Sequence, residues 1–556
     1  MNLLQILDSF KSDSEISSAI SHWEVIPPNR GTLVDFPVGI HSGLIKALQK
    51  KKIHRLYSHQ SSAFEQISNG KSVVIVTPTA SGKTLCYNLP VLNSILNQPD
   101  ARALYLFPTK ALSQDQVAEL HQLIKILEAD IKTYTFDGDT PVSARRAIRS
   151  AGQIVVTNPD MLHSGILPHH TKWINLFENL KYIVIDEVHQ YRGVFGSHLA
   201  NLIRRLKRIC KFHGSSPQFI CCSATIANPQ ELAEKLLEEK VELINSNGAP
   251  SGEKHFIFYN PPVIDKELGI RKSSMNEVQK LGTRFIQNEV QTVVFAPSRL
   301  KVEVLLNYLK EAAAKKKMNP KSISGYRGGY LPNERRAIES GLRAGEIKGV
   351  VSTNALELGI DVGQLDACLL TGYPGTIAST WQQAGRAGRR QDVSVAVLVA
   401  NSSPLDQYLM NHPQYFFSQL PEHGVIDPNN LIILTSHIKC AAFELPFQKG
   451  EIFGVETTQQ ILEYLEENEV LRQVGDQWHW NSEIYPAEQV SLRSASPENF
   501  VILNTSDKNR VIGEVDYFST PILLFPDAIY LHLGKHFQVE ELDWDGKKAY
   551  VKEVDV

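Results

Sequence analysis

The chain has 556 residues, 42% of them hydrophobic, and a formal net charge of −3. That length holds three or four domains, and no apolar run approaches the roughly 20 residues a bilayer crossing needs. The charge balance excludes adhesion to nucleic acid through indiscriminate positive charge, although backbone N–H groups, hydroxyls and a few placed cations can serve one groove instead.

The first residues, MNLLQILDSFKSDSE, lack a basic n-region and a long apolar stretch, so no secretory signal is expected and a cytoplasmic location fits. Residues 1–50 are expected to form an accessory helical region. From 51 to 245, apolar runs at 73–76, 103–107, 154–157, 182–185 and 218–222 alternate with amphipathic stretches, the pattern of βαβ units in a parallel sheet. The polar Gly/Pro/Ser stretch 245–254 reads as a linker. Residues 255–415 repeat the α/β pattern, with strands predicted at 292–295, 349–352, 367–371 and 394–399. Two sheets joined by a linker imply a cleft in which closure can do mechanical work. Residues 416–490 hold two or three helical stretches followed by WHWN (478–481), compatible with a winged-helix module or with a helical packing domain. Residues 491–556 alternate like strands, and Asp545-Gly546 is a hairpin-turn signal in a barrel-like or meander element.

Two motifs carry the chemistry. Thr77, Pro78, Thr79, Ala80, Ser81, Gly82, Lys83 and Thr84 follow the buried run VVIV and lead into a helix. Inward N–H groups and a helix N-terminus there hold triphosphate oxygens. Lys83 supplies a point charge at the β/γ-phosphates and Thr84 a hydroxyl for Mg²⁺. Thr77 stands where the GxxxxGK[ST] pattern has glycine. The second motif is Asp186-Glu187, emerging from the apolar run YIVI. Asp186 is suited to holding Mg²⁺ and Glu187 to orienting and deprotonating the attacking water. In the second half, Arg386 and Arg389 of QQAGRAGRR are placed to reach a γ-phosphate across the cleft, arginine being suited to transition-state charge. The basic clusters 50–55, 204–211 (RRLKRICK) and 315–317 read as solvated helix faces rather than phosphate tracks.

In order along the chain, these segments resemble the motifs of superfamily 2 helicases from about residue 56 to 400. LYSHQ places Gln60 where that family reads adenine; TPTASGKT and DEVH match motifs I and II. FPTKALSQDQ (107–116) and TNPDMLH (157–163) resemble the motifs that track the nucleic-acid backbone, with Thr109, Lys110 and Thr157 as contacts. SAT (223–225) resembles the motif that links ATP state to strand grip, giving His189, Ser223 and Thr225 coupling roles. VVFAPSR (293–299) contributes Arg299. Thr353, Glu357 and Asp361 fall in motif V, and Gln382, Gly385, Arg386 and Arg389 in motif VI. Trp381 is either a base-stacking platform or a brace for motif VI. The resemblance implies two tandem RecA-like lobes, 51–245 and 255–415, with Asp361 joining the ATP site.

YRGVFGSH (191–198), YRGGYLPNERR (326–336), SPLDQYLMNHP (403–413), CAAFELPF (440–447), IGEVD (512–516) and AIYLHLGKHFQVEEL (528–542) bring the resemblance closer to the MrfA branch, bacterial relatives of Hrq-type, RecQ-like DNA helicases. It implies a winged-helix module at 416–490, ATP-driven 3′→5′ movement on single-stranded or tailed DNA, unwinding, and a role in DNA repair. That family's C-terminal four-cysteine zinc module is not carried over. The six cysteines (Cys86, Cys210, Cys221, Cys222, Cys368, Cys440) show no CxxC spacing, and Cys221-Cys222 reads as strand filling. No nuclease cluster is present, so cutting needs a separate nuclease. A two-lobe motor carries both halves of its ATP site and can act as a monomer. A DExH RNA helicase and a non-catalytic nucleic-acid clamp are the alternatives.

Overall fold

The computed structural model describes residues 1–357, 362–363, 365–388, 392–493, 499–517 and 519–556. The chain forms two compact bodies, each assembled from separated stretches.

The first body joins residues 31–249 to the stretch from Glu422. Its sheet has seven parallel strands, in the order Glu242–Ile244, Val73–Val76, Gln218–Ser223, Leu180–Ile185, Arg102–Leu106, Ile154–Thr157, Thr133–Thr135. Val73–Val76 and Ile154–Thr157 are buried at every position, as unbroken β-branched runs covered on both faces should be. Ile75, Tyr105 and Val184 pack against Ile67, Leu92 and Leu120 on one face. Val74, Leu104 and Ile183 pack against Leu199 and Leu236 on the other.

Helices Leu431–Glu444 and Thr458–Glu467, with the three-stranded sheet of Phe447–Gln448, Gln477–Trp480 and Leu471–Val474, form the winged-helix module. Its own core contains Ile438, Leu462, Leu465 and Trp478. The helix Gly193–Phe212 fastens this module to the sheet's body. Arg205 is fully buried and forks onto the Glu444 carboxylate, itself buried. Arg208 donates to the Ala441 and Leu445 carbonyls at 2.8 Å each and lies 4.0 Å over the Phe447 ring. Arg204 donates to the Asn429 side chain at 2.7 Å. RRLKRICK is therefore neither a solvated face nor a phosphate track, because its arginines are spent on docking. Gly196 permits the approach: a Cβ there would lie 2.5 Å from the Ile426 side chain and 2.4 Å from the Tyr191 carbonyl oxygen.

The second body holds residues 1–30, 250–421 and the C-terminal strands. Its sheet runs Ile20–Ile26, Lys254–Tyr259, Ser394–Val399, Ala367–Thr371, Thr292–Phe295, Gly349–Ser352, Ile323–Tyr326, antiparallel only at the first pair. The accessory helical region expected over 1–50 is corrected here. Leu3–Ser12 and Ser14–Ala19 are helices, but Ile20–Ile26 adds an edge strand to this sheet, and Ser42–Lys50 packs in the first body. The β-branched and aromatic residues of ISHWEVI suit an edge.

The C-terminal element is a five-stranded sheet, Arg510–Asp516, Asn499–Asn504, Lys548–Val554, Lys535–Asp543, Ile529–His532. The Asp545-Gly546 hairpin forms as expected. However, Asn499–Asn504 pairs parallel with Lys548–Val554, so the element is not a simple meander. Arg327 of YRGGY, 1% exposed, pins it to the second lobe. Its Nε donates to Glu303 at 2.7 Å and its Nη2 to the Leu531 carbonyl at 3.0 Å. Both family-like Tyr-Arg-Gly segments, YRGVFGSH and YRGGY, thus serve docking.

Candidate active site

Val73–Val76 delivers the chain into the loop 77–82 at the carboxyl edge of the sheet, where ligands bind in open α/β folds. Thr77 is buried and its hydroxyl meets the Ser81 hydroxyl at 2.6 Å, closing the loop from inside. That bond explains how threonine serves at the usual glycine position, whose backbone here is not left-handed. The left-handed turns fall instead at Ala80 (φ 63°) and Gly82 (φ 78°). Gly82 is required twice over, since a Cβ there would also come within 2.8 Å of the Gln60 Nε2. Pro78, Ala80 and Gly82 stay exposed, with Thr79, Lys83 and Thr84 half-buried. Lys83 opens the helix Lys83–Asn97 and donates to the Thr77 and Pro78 carbonyls at 2.7 and 3.0 Å.

Gln60 sits beside this loop. Its Oε1 accepts the Tyr57 N–H, capping the helix Ser58–Ser68, and its Nε2 donates to the Gly82 carbonyl, both at 3.0 Å. His59 makes a second brace, between the Ser81 carbonyl (3.1 Å) and the Gly248 N–H (3.2 Å). Burial lowers its pKa to about 4, so it is a neutral imidazole that accepts at Nδ1 and donates at Nε2. The linker is thereby anchored to the first body at Gly248.

The carboxylates stand at the end of Leu180–Ile185. Asp186 and Glu187 are 7% and 8% exposed. Burial, then the neighbouring Glu187 charge, pushes the Asp186 carboxyl well up from its ordinary range. Glu187 adopts left-handed backbone (φ 54°, ψ 46°), a conformation costing roughly 1–3 kcal/mol that clusters at functional sites, and its N–H donates to Asp186 Oδ1 at 2.8 Å. The buried carboxylates and the nearby Thr84 hydroxyl are oxygen donors of the kind that fits Mg²⁺. Among the described residues, no group of three or more His, Cys, Asp or Glu forms a metal cage, and all six cysteines are buried.

Two residues that the sequence reasoning passed over tie this centre to the helix Lys110–Leu127. Thr84 Oγ1 and Tyr87 OH both donate to Gln116 Oε1 at 3.0 Å, and Tyr87 OH lies 3.4 Å from Asp186 Oδ2. Tyr87 falls one helical turn beyond Thr84, which was the available signal. His189 Nδ1 accepts the Ala224 N–H at 3.0 Å and lies 3.5 Å from both Ser223 Oγ and Glu187 Oε2. Its approach to Glu187 is not an ion pair, because burial holds the His189 pKa near 4. The DEVH and SAT segments are thus hydrogen-bonded to each other, with Thr225 exposed at the rim.

In the second body, Arg386 is 3% exposed and its Nη2 donates to the Glu357 carbonyl at 2.5 Å. The Glu357 carboxylate accepts from Ser379 Oγ (2.7 Å) and Gln383 Nε2 (2.8 Å), locking motif V to motif VI. Gln382 is buried, with no partner for its Nε2 among the described residues. Asp361 and Arg389 lie outside the described residues. Lys254, also missed, is half-buried and donates to the Ala384 and Ala387 carbonyls at 2.7 and 2.8 Å, clamping the turn that carries Arg386. Lys254→Met is expected to cost roughly 1–3 kcal/mol by stranding buried carbonyls and to slow ATP turnover with the KM for ATP little changed. Melting curves and steady-state kinetics check both.

The strand-contact candidates divide. Thr109 caps Lys110–Leu127. Lys110 meets Asp139 at 3.1 Å with both side chains open to solvent. Arg299 begins the helix Arg299–Lys315 half-buried, and Thr353 caps Asn354–Leu356. Thr157 is a correction: it is 1% exposed and its hydroxyl donates to the Phe136 carbonyl at 2.6 Å, so it faces the interior. Trp381 stacks on Phe416 (5.2 Å, 22°) with Phe256 and Phe417 against its edges. The half-buried ring and this packing suit the bracing alternative.

The models described as DEAD/DEAH box helicase, helicase conserved C-terminal domain, and ATP-dependent helicase HRQ1, winged helix domain match residues 57–232, 275–391 and 426–495. The ATP-dependent helicase YprA of Bacillus subtilis is 59% identical over 98% of this chain and 73% of its own. The ATP-dependent helicase hrq1 of Schizosaccharomyces pombe is 37% identical over 92% of this chain, which spans about half (49%) of that protein. A crystal structure of the DUF1998 helicase MrfA bound to DNA has a TM-score of 0.96 at 57% identity, covering 100% of this chain and 74% of that one. A second, bound to DNA and AMPPNP, has the same score and covers 77% of its chain. The chain belongs to this family of DEAD/DEAH-box ATP-dependent helicases, the one that includes YprA and MrfA, and carries an HRQ1-type winged-helix domain.

Proposed function

We propose that the chain is an ATP-driven DNA helicase that moves 3′→5′ along one strand of tailed duplexes and serves DNA repair, including crosslink-type damage. The observation that carries the chemistry is the buried Asp186-Glu187 pair, held beside a phosphate-cradling loop and wired to Thr84 through Tyr87 and Gln116. Thr84 and Asp186 would hold Mg²⁺, which would supply Lewis-acid charge neutralisation to the triphosphate oxygens. Lys83 adds its ammonium to the same oxygens. Glu187 orients the attacking water and takes its proton, its strained backbone fixing the carboxylate's aim. Arg386, with Arg389 three residues on, serves as the finger for transition-state charge, Asp361 joins the ATP site, and Gln382 offers its spare amide donor to the same site. Gln60 reads the adenine and reports it to Gly82. His189, Ser223 and Thr225 pass the γ-phosphate state to the strand-gripping surface, where Thr109, Lys110, Arg299 and Thr353 contact the backbone.

DNA as the track is supported by the solved relatives bound to DNA, at 57% identity. The motor acts as a monomer in the cytoplasm or nucleoid, and any strand cutting belongs to a separate nuclease. Strand displacement on 3′-tailed, 5′-tailed and blunt DNA duplexes, with RNA counterparts, tests substrate and direction together. Only the 3′-tailed DNA should open with ATP; opening of the 5′-tailed or RNA duplexes instead would refute this assignment. Loss of the gene should sensitise its host to mitomycin-type crosslinkers, and unchanged sensitivity would remove the repair role.

A further inference from the structure

One cavity of the first body lies away from the phosphate loop. It has a volume of about 430 Å³ and is lined among others by Phe136, Arg145, Arg149, Met161, His169 and Lys172. Its walls are the helix Val142–Ala151, the π-helical turn Leu162–Ile166 and the 3₁₀ segment Leu167–Lys172. A π turn is a rare local geometry found most often at functional sites.

Three features give the cavity a ligand chemistry. Arg145, Arg149 and Lys172 line it, and among the described residues none of them makes an ion pair with a carboxylate. In a chain of net charge −3 this concentrates positive potential in one concavity. Arg145 is pre-set: its Nε donates to the Thr140 carbonyl at 3.1 Å and its guanidinium lies 5.6 Å over the Phe136 ring, and among the described residues its terminal N–H groups have no carboxylate partner. His169 registers the same field, since its pKa is lowered by burial first and then by Lys172 and Arg149. Its ring stacks on Tyr485 of the winged-helix module (6.2 Å, 14°), which ties the rim to the element docked there.

We propose that this cavity is a second nucleic-acid site of the first body, in which Arg145, Arg149 and Lys172 receive phosphodiester groups of DNA outside the motif-lined strand path. The inference rests on the DNA-helicase assignment and extends it. Its chemistry is shared by a single strand and by the backbone of the duplex ahead, so both are probed.

The test is the full chain carrying Arg149→Glu and Lys172→Glu, or the milder Arg149→Ala and Lys172→Ala. Binding to labelled single-stranded and blunt duplex DNA is measured by anisotropy from 50 to 200 mM salt. Two lost phosphate contacts should reduce the slope of log K against log salt by about 1.4–1.8 and weaken binding about 10–100-fold at the lowest salt. DNA-free ATP turnover and the melting midpoint should stay at wild-type values. The form of DNA that loses affinity identifies the occupant. Folded double variants with unchanged affinity and slope for both DNAs would overturn the proposal. So would loss of ATP binding with DNA binding intact, since the cavity would then take a free nucleotide. Failure of the wild-type chain to bind either DNA would instead refute the underlying DNA assignment.

Discussion

Glu187→Gln is expected to lower ATP turnover about 10²- to 10⁴-fold, the range a positioned general base contributes, while nucleotide binding survives. Glutamine preserves the shape and the left-handed backbone but cannot accept the proton of the attacking water. Binding should survive because Lys83, Thr84 and the 77–82 loop do not contact the Glu187 carboxylate in the hydrogen bonds described above, whereas Asp186 loses a neighbouring negative charge. Removing that repulsion favours an ionised Asp186, so affinity for Mg²⁺-nucleotide should hold or rise. Equilibrium binding of a non-hydrolysable analogue beside steady-state turnover checks both halves. A variant that keeps wild-type turnover would show that the base lies elsewhere.

The second large effect is structural. Arg205→Met should destabilise the first body by about 3–5 kcal/mol, because Glu444 is left charged and unpaired in the interior. Combining it with Glu444→Leu should restore most of that loss, since apolar replacement of a whole buried pair is often neutral or better. The histidines around the pair add a pH dependence. His163 accepts from Arg205 at 2.7 Å, and His437 accepts from Arg205 at 3.3 Å while hydrogen-bonding His198 at 3.0 Å. Burial, and then the Arg205 charge, lowers His163 to about 3 and His437 well below its ordinary value; burial alone lowers His198. The unfolded chain therefore binds more protons than the folded one below about pH 6.5. Stability is lost as pH falls through that point, at up to about 1.4 kcal/mol per histidine per unit. Urea unfolding of the single and double variants at pH 7.5 and 5.5 measures both effects. Full stability in Arg205→Met, or a pH-independent wild type, would contradict the docking account.

The central strands were legible because burial on both faces leaves continuous β-branched runs: Val73–Val76, Ile154–Thr157, Thr292–Phe295, Gly349–Ser352 and Ser394–Val399 stand where periodicity put them. Edges were not. Thr133–Thr135 and Glu242–Ile244 have three residues each, and Ile20–Ile26 lies hundreds of residues from its partner Lys254–Tyr259. Nucleotide motifs were legible because phosphate chemistry confines residue choice within a few positions. Gln116, His59 and Lys254 were hidden because each acts through one or two hydrogen bonds across the fold, which no local pattern records. RRLKRICK misled for a related reason: a run of cations looks solvated until the partners at Glu444, Glu451 and Asn429 fold onto it. Thr157 was in the right segment, but burial turned its side chain inward.

We propose that turnover needs the carboxylates of the first lobe and an arginine of the second. Arg386→Ala measures this most directly, with analogue binding and DNA-stimulated ATP turnover compared in a variant shown by melting to be folded. The prediction is near-normal binding with turnover reduced about 10³- to 10⁵-fold, as for loss of an arginine finger. Turnover within a few-fold of wild type would contradict it.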